Sequence, residues 1–440
     1  MIIETTSSLE YQIHSLVLVT KYGDFEVRDI FLELNIYDHI LQPCMSGNIV
    51  LLDSNGLNNK FNFDGTEFIR MDISKNEKKV RIKKSFHIFK MTNRKSRNTS
   101  SESYVLHFIS DEFVYSQQKN INRSFIGKTY SEIVNEVLNE DLKVEENRMR
   151  GLMEKSMRMK EVVVPSMKPL ETIIWCAKRA VNSEFLPNFL FYENAFGYNF
   201  VSLTELKKKD SLFDVNFSIK NVEGSEKFEI IGVRDFEIVS QYDYLENITS
   251  GVFAGTFIGY DPLTRIIVEQ KITSDDVLGK TSLNKNRNTV VTKNREGKKN
   301  TEMFDSRRVV YSAALGRTNS DWIKTNDPSS LSLTETPEFF MLQRKALLQN
   351  LFAKRLRIIL PGNFSVTSGV NLNIKKLKNS AYEDDNNHDN SIFGKYLVVA
   401  TRHIIKANQH ETVVELVSDS LSTFLESSSD IDIKKVLKHG

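Results

Sequence analysis

Short apolar stretches recur through the first 115 residues, and their length does more than any other feature to fix what this chain can fold into. Leu16–Val19, Phe31–Ile36, Gly47–Leu52, Phe68–Ile73, Ser85–Met91 and Tyr104–Ile109 are rich in Ile, Val, Phe and Tyr. Small or polar residues separate them, as at Tyr22-Gly23-Asp24, Asp53-Ser54-Asn55-Gly56 and Asp64-Gly65. Tyr104, Leu106 and Phe108 alternate with Val105 and His107, the period of two that places side chains on opposite faces of a strand. Many short strands at this spacing predict an antiparallel sandwich or barrel.

The pattern changes near residue 125. Thr129 and Glu132 have the spacing of a capping box, in which hydroxyl and carboxylate satisfy free N–H groups at a helix start. Tyr130, Ile133, Val134, Val137 and Leu138 then form one apolar helical stripe. Residues 144–161 are charged and Met-rich and read as a loop. A second helix is expected from Pro169, a residue suited to the first turn, with Leu170, Ile173, Ile174, Ala177 and Val181 inward. Glu171 near its start and Lys178 and Arg179 near its end complement the helix dipole. Strand-like Phe189–Tyr192 and Tyr198–Leu203 flank Gly197, and strands return at Phe213–Ile219 and Phe228–Val233.

Residues 248–272 again read as strands, broken near Asp261-Pro262. Residues 273–335 are polar, with one strand-like patch at Arg308–Leu315. Thr336, Pro337 and Glu338 predict the start of a helix over 336–354. At nineteen residues it would span about 28 Å. It is followed by a strand at Leu356–Leu360 and a turn at Pro361-Gly362-Asn363. Further strands are expected at Val370–Ile374, Tyr396–Ile405 and Thr412–Ser418, with an acidic polar loop at 379–391, a turn at Asn408 and a polar tail past Ser427.

These signals divide the 440 residues into three parts. Residues 1–115, completed by 215–240, form a first β region. Residues 116–214 form an α/β insertion. Residues 241–440 form a second β region carrying the polar insertion 275–335 and the helix 336–354. The fold class is mainly β with an α/β insertion.

Composition narrows the function. No apolar run exceeds five residues, whereas a membrane-spanning helix needs roughly 18 or more, so no membrane insertion is expected. The N-terminus has neither the basic start nor the apolar core of a secretory signal. Two cysteines, Cys44 and Cys176, exclude a disulfide scaffold and are expected reduced and buried. The net charge of +2 conceals local extremes: residues 75–97 carry +9, residues 284–300 carry +5, and the remainder is an acidic body. Lys78-Lys79-Val80-Arg81-Ile82-Lys83-Lys84 reads as a strand with one positive face. Such a face either guards a sheet edge against aggregation or meets a polyanion or acidic surface.

Catalytic signatures are absent. Gly127-Lys128-Thr129 and Gly279-Lys280-Thr281 resemble the end of a phosphate-binding loop, but the glycine needed five residues earlier is Asn122 in one and Ser274 in the other. The eight histidines have no helical metal-site spacing, and His87 and His107 read as satisfied sheet residues. The acidic stretch Glu383–Asp389 lacks the glycine turn and distal glutamate of a helix-loop-helix calcium site. No nucleophile elbow is present. No catalytic residue, metal site or cofactor is expected, and the chain reads as a non-enzyme.

Three groups of stretches carry a resemblance. The first is Phe31-Leu-Glu-Leu-Asn-Ile-Tyr-Asp38 with Pro43-Cys-Met-Ser-Gly-Asn-Ile-Val-Leu-Leu-Asp53. The second is Lys168-Pro-Leu-Glu-Thr-Ile-Ile-Trp-Cys-Ala-Lys-Arg-Ala180 with Phe189-Leu-Phe-Tyr-Glu193 and Gly197-Tyr-Asn-Phe-Val-Ser202. The third joins Gln343-Arg-Lys and Leu356-Arg-Ile-Ile-Leu-Pro-Gly362 to Gly394-Lys-Tyr-Leu-Val-Val-Ala-Thr-Arg-His403 and Val413-Val-Glu-Leu-Val-Ser-Asp419. In this order the chain resembles the central baseplate hub proteins of contractile-tailed bacteriophages. Residues 275–335 and 379–391 depart most from that pattern.

The resemblance implies two tail-tube-like antiparallel β-barrels per chain, so that a homotrimer forms a pseudo-sixfold ring. The ring would join the hexameric tail tube, or a tube-initiator protein, to a trimeric cell-puncturing spike. Its lumen would pass tape-measure protein and DNA. Its place would be the virion tail baseplate, after assembly in the host cytoplasm. Pro43, Gly47, Asp53, Pro169, Trp175, Pro361, Gly362, Gly394 and Tyr396 are the expected structural and turn residues, the glycines supplying backbone freedom at strand ends. Lys79, Arg81, Lys83 and Lys84 are candidate contacts with the lumen or a polyanion. Two alternatives stand beside this reading. One is a hub or spike component of a contractile secretion system. The other is a nucleic-acid-binding β protein using residues 75–97 and 284–300, which would bind DNA with steep salt dependence.

Overall fold

The computed structural model describes residues 11–61, 63–75, 81–98, 101–145, 148, 151–157, 160–217, 231–233, 235–278, 281–287, 292–294, 296–312, 337–376, 392–407 and 409–422. The first seven strands are β1 (Tyr11–Thr20), β2 (Gly23–Glu26), β3 (Phe31–His39), β4 (Ser46–Asp53), β5 (Phe68–Lys75), β6 (Arg81–Asn98) and β7 (Ser101–Ser110), with a short helix α1 (Leu57–Phe61) after β4. They lie in the order β2-β1-β5-β6-β7-β4-β3, every pair antiparallel. Alternation makes this sheet. In β4, Gly47, Ile49 and Leu51 are buried while Asn48, Val50 and Leu52 are half-exposed. Leu18, Leu34, Ile49, Ile69, Phe86 and Leu106, from six strands, meet in one core, so the sheet curls around it. Each such side chain contributes on the order of 1.5–3 kcal/mol when fully buried.

Helix α2 (Asp111–Gln117) leads into the insertion: β8 (Ile121–Lys128), α3 (Tyr130–Glu136), β9 (Lys160–Met167), α4 (Pro169–Arg179), β10 (Phe189–Asn194), β11 (Gly197–Ser202) and α5 (Leu203–Lys208). The capping box is formed: the Glu132 N–H donates to Thr129 Oγ1 (3.3 Å), and the Thr129 N–H donates to Glu132 Oε2 (2.7 Å). The expected stripe Tyr130, Ile133, Val134, Val137 and Leu138 is buried, and the last two lie in one π-helical turn that continues α3. Helices α3 and α4 and strands β8 to β11 share a second core.

The chain then gives β12 (Ser211–Phe217), β13 (Ile231–Gly232) and β14 (Asp235–Ser240), followed by α6 (Tyr244–Thr249), β15 (Ala254–Asp261), β16 (Ile266–Thr273), α7 (Ser274–Leu278), β17 (Asn286–Arg287) and β18 (Arg308–Ser312). Helices α8 (Pro337–Phe340) and α9 (Gln343–Phe352) precede β19 (Lys354–Pro361), β20 (Asn371–Lys376), β21 (Gly394–Lys406), β22 (Gln409–Ser418) and β23 (Ser420–Leu421). Seven of these strands lie in the order β13-β12-β20-β21-β22-β19-β14. Numbered along the chain, that is the strand order of the first sheet repeated: β12, β13, β14, β19, β20, β21 and β22 occupy the places of β1 to β7. The match extends to orientation in four of six pairings. The exception is β12, which runs parallel to β13 and β20 where β1 is antiparallel to its neighbours. Strand β3 pairs with β21 and fuses the halves into one 14-stranded sheet.

Three expectations are corrected here. Residues 215–240 do not complete the first sheet, because β12 and β14 pair with β20 and β19. The helix expected over 336–354 is two short helices interrupted at Met341 and Leu342. Leu342, fully buried against the backbone at Gly251 and Gly255, anchors the break, and by Lys354 the chain is already in a strand. Residues 254–312 do not belong to the second curled sheet: β16-β15-β18 form a separate three-stranded sheet with its own core. Thr336, the acidic loop 379–391, Asn408 and the tail past Ser427 lie outside the described residues. No helix among the described residues is long and apolar enough to cross a membrane.

Candidate assembly site

The junction between the two halves is the feature around which the molecule is organised. Strands β3 and β21 run antiparallel from His39↔Ala400 to Glu33↔Lys406. On the outward face Glu33 holds Arg402 and Lys406, each at 3.5 Å, and Arg402 Nε donates to Asn35 Oδ1 (2.9 Å). On the inward face Asp38 is buried and accepts from Thr367 Oγ1 (2.7 Å) and the Ser368 N–H (2.8 Å). Burial raises the Asp38 pKa in spite of these donors. Lys75 Nζ reaches across to the Gly362 carbonyl (2.7 Å).

A buried ionic knot ties the insertion to the first half. Lys84 on β6 donates to Glu193 on β10 and to Ser110 Oγ (2.6 Å). Glu193 also accepts from the Met45 N–H (2.9 Å), Ser110 Oγ (2.5 Å) and Arg148 Nη2 (2.9 Å), and Arg148 also holds Glu112. Burial opposes ionisation of Glu193, but Lys84 and Arg148 outweigh it and hold the carboxyl below its ordinary pKa. A second buried pair, Lys207–Asp419 at 2.6 Å, fastens α5 to the end of β22.

Arg81, Lys83 and Lys84 therefore part company. Lys84 is corrected: it faces inward opposite Met71 and is spent on Glu193, so it meets neither lumen nor polyanion. Arg81 is exposed and bidentate on Asp72, and Lys83 is exposed beside it. Lys79 lies outside the described residues. Arg94 holds Glu102 (2.8 and 3.0 Å), so carboxylates take up much of this segment's charge.

The expected structural residues take distinct positions. Pro43 is in the β3–β4 connection. Gly47 is needed for room, not for backbone freedom: a Cβ would overlap the Phe108 ring and the Asn35 carbonyl. Gly362 is likewise pressed on the His410 ring, whereas Gly394 has φ +129°. Asp53 accepts from the Asn55 and Asn58 N–H groups and turns the chain into α1. Pro169 is the first residue of α4, and the Arg179 guanidinium stacks 4.2 Å over Trp175. Pro361 ends β19. Tyr396 is buried, its hydroxyl donating to the Ile392 carbonyl (2.6 Å). His87 and His107 bond the Gly65 carbonyl (2.7 Å) and Thr92 Oγ1 (2.8 Å). Both cysteines are free and buried. Among the described residues no group of three or more His, Cys, Asp or Glu is placed to hold a metal.

Sequence reasoning missed Arg148, Arg344 and the His403–His410 pair. Arg344 is buried and donates to the Ala177 and Pro187 carbonyls (3.2 and 3.1 Å), and burial lowers its pKa to about 10. Its contacts span more than 150 residues, which no local pattern announces.

The duplicated, fused sheet with a helical insertion is the fold of phage tail proteins. The tail protein from Neisseria meningitidis superposes with a TM-score of 0.53 at 10% identity, covering 93% of this chain and 97% of that one. The 43 kDa tail protein of a Shewanella oneidensis prophage gives 0.52 at 8% identity, covering 92% and 98%. No protein-family model and no curated protein matches the sequence. The likeness is one of fold.

Proposed function

We propose that this chain is a structural hub of a phage-type tail baseplate. Three copies close into a pseudo-sixfold ring that joins a tail tube, or its initiator protein, to a trimeric spike. The observation that carries this reading is the repeated strand order. A chain with two equivalent sheets presents six similar units when threefold symmetry is applied, and so can face a hexamer on one side and a trimer on the other. Each curled sheet acts in this reading as a tail-tube-like barrel.

The outward face of the fused sheet supports a lumen for tape-measure protein and DNA. Cations and anions alternate there in pairs: Arg402–Glu33, Arg355–Glu415 and Arg357–Glu237. A wall neutralised in this way holds neither polymer tightly, since phosphate binding depends on uncompensated cations.

Light scattering on the purified chain tests the proposal. A mass three times 50.7 kDa, alone or with the spike partner, is expected. A monomer under both conditions removes the hub.

A further inference from the structure

The trimer reading leaves open which surfaces meet, and the internal repeat answers it. Strand β21 is longer than its neighbours, and two strands share one of its edges. Residues from Gly394 to Leu397 pair with β20, and Ala400 to Lys406 pair with β3. Its counterpart β6 is longer still, and β5 occupies the same edge only as far as His87. Beyond that point no described strand lies on that edge. The counterpart of β3 is β14, whose sole described strand neighbour is β19. One half thus carries a long strand with an open edge, and the other carries an edge strand. Within the chain, the equivalent elements are already joined as β3 and β21.

We propose that β14 of one copy pairs antiparallel with the Lys90–Ser96 portion of β6 in the next copy, reproducing the β3–β21 junction three times around the ring. The proposal rests on the trimer reading and names its interface. Register follows from a shared irregularity. Strand β6 slips against β7 between Ile88 and Lys90, and β21 slips against β22 between Val398 and Ala400. Aligning the two slips, and keeping inward residues inward past the second irregularity of β6 at Thr92/Lys95, places Glu237 of one copy beside Lys95 of the next.

The charges agree with that register. The exposed β14 carries Asp235 and Glu237, and the exposed portion of β6 carries Lys90, Arg94 and Lys95. In the internal junction the same arrangement is satisfied by Glu33 with Arg402 and Lys406. Open edges invite indiscriminate pairing, and charge on both edges selects the complementary one. The +9 segment thereby acquires a partner, an acidic edge strand of the same protein.

Paired cysteines test this. Antiparallel neighbours have Cα atoms about 4.5–5.5 Å apart, within the disulfide range. In full-length protein carrying Glu237→Cys and Lys95→Cys, mild oxidation should convert most chains to covalent dimers and trimers on a non-reducing gel, and each single variant should give none. Cys44 and Cys176 are buried and stay out of the reaction. Glu237→Lys should shift the trimer toward monomer at least tenfold, and adding Lys95→Glu should restore it. A trimer by mass that neither cross-links nor responds to either reversal overturns this interface and leaves the hub standing. A wild-type monomer, with and without the spike partner, overturns both.

Discussion

Two histidines make the sharpest residue-scale prediction. His403 and His410 lie side by side on β21 and β22, 3.3 Å apart, against the Phe364 ring. Burial lowers the His403 pKa to about 3, and burial, with His403 and Lys75 nearby, lowers that of His410 well below 6.5. The folded protein keeps both rings neutral, while the unfolded chain protonates them near pH 6.5. Stability is therefore full above pH 6.5 and falls as pH drops below it, by up to about 1.4 kcal/mol per unit for each ring. Urea unfolding between pH 7.5 and 5 should show this slope, and His403→Gln should remove about half of it; a flat profile contradicts the assignment. Sterics give a second prediction. Gly47→Ala pushes a methyl group into Phe108 and the β3 backbone and should cost about 1–3 kcal/mol in the same assay. A neutral result would mean that β4 shifts freely.

At the scale of elements, the pair Lys207–Asp419 locks the insertion onto the second half. Both side chains are at least 94% buried, so Asp419→Asn leaves a cation without its counter-charge. A loss of about 3–5 kcal/mol is expected in thermal or urea unfolding. Replacing both by Met and Leu should recover much of it, and an effect below about 1 kcal/mol for the single change would show that water reaches the pair. The elements themselves were largely legible in the sequence. Strict alternation in Tyr104–Ile109 and the box at Thr129 and Glu132 are local signals, and both elements form where they are expected. The failures have physical causes. The stretch Phe340–Phe352 has helical residues throughout, yet Leu342 is drawn into a core built by residues 251–272, and the helix breaks to put it there. Strand β2 covers Gly23 and Asp24, which read as turn residues, because β1 supplies the partner. Lys84 looked like its neighbours on a basic strand; only the fold brings Glu193 to it from 109 residues away. Pairing of β12 with β20 spans more than 150 residues and left no trace in the sequence.

For the whole molecule, the repeat of seven strands is what makes a ring plausible from one chain. It was not visible as sequence repetition. Outward residues differ between the halves, and the inward ones need only be apolar and of suitable volume. Ile49 and Ile358, or Leu106 and Val414, occupy equivalent places for that reason alone. The separate sheet β16-β15-β18 and the α/β insertion interrupt the repeat at different points in the two halves. The most direct measurement is electron microscopy of the assembled protein viewed along its axis. Class averages should show a closed ring with three identical subunits, six similar β lobes and a central hole. Averages showing single two-lobed particles, or rings of any other subunit number, would contradict the account.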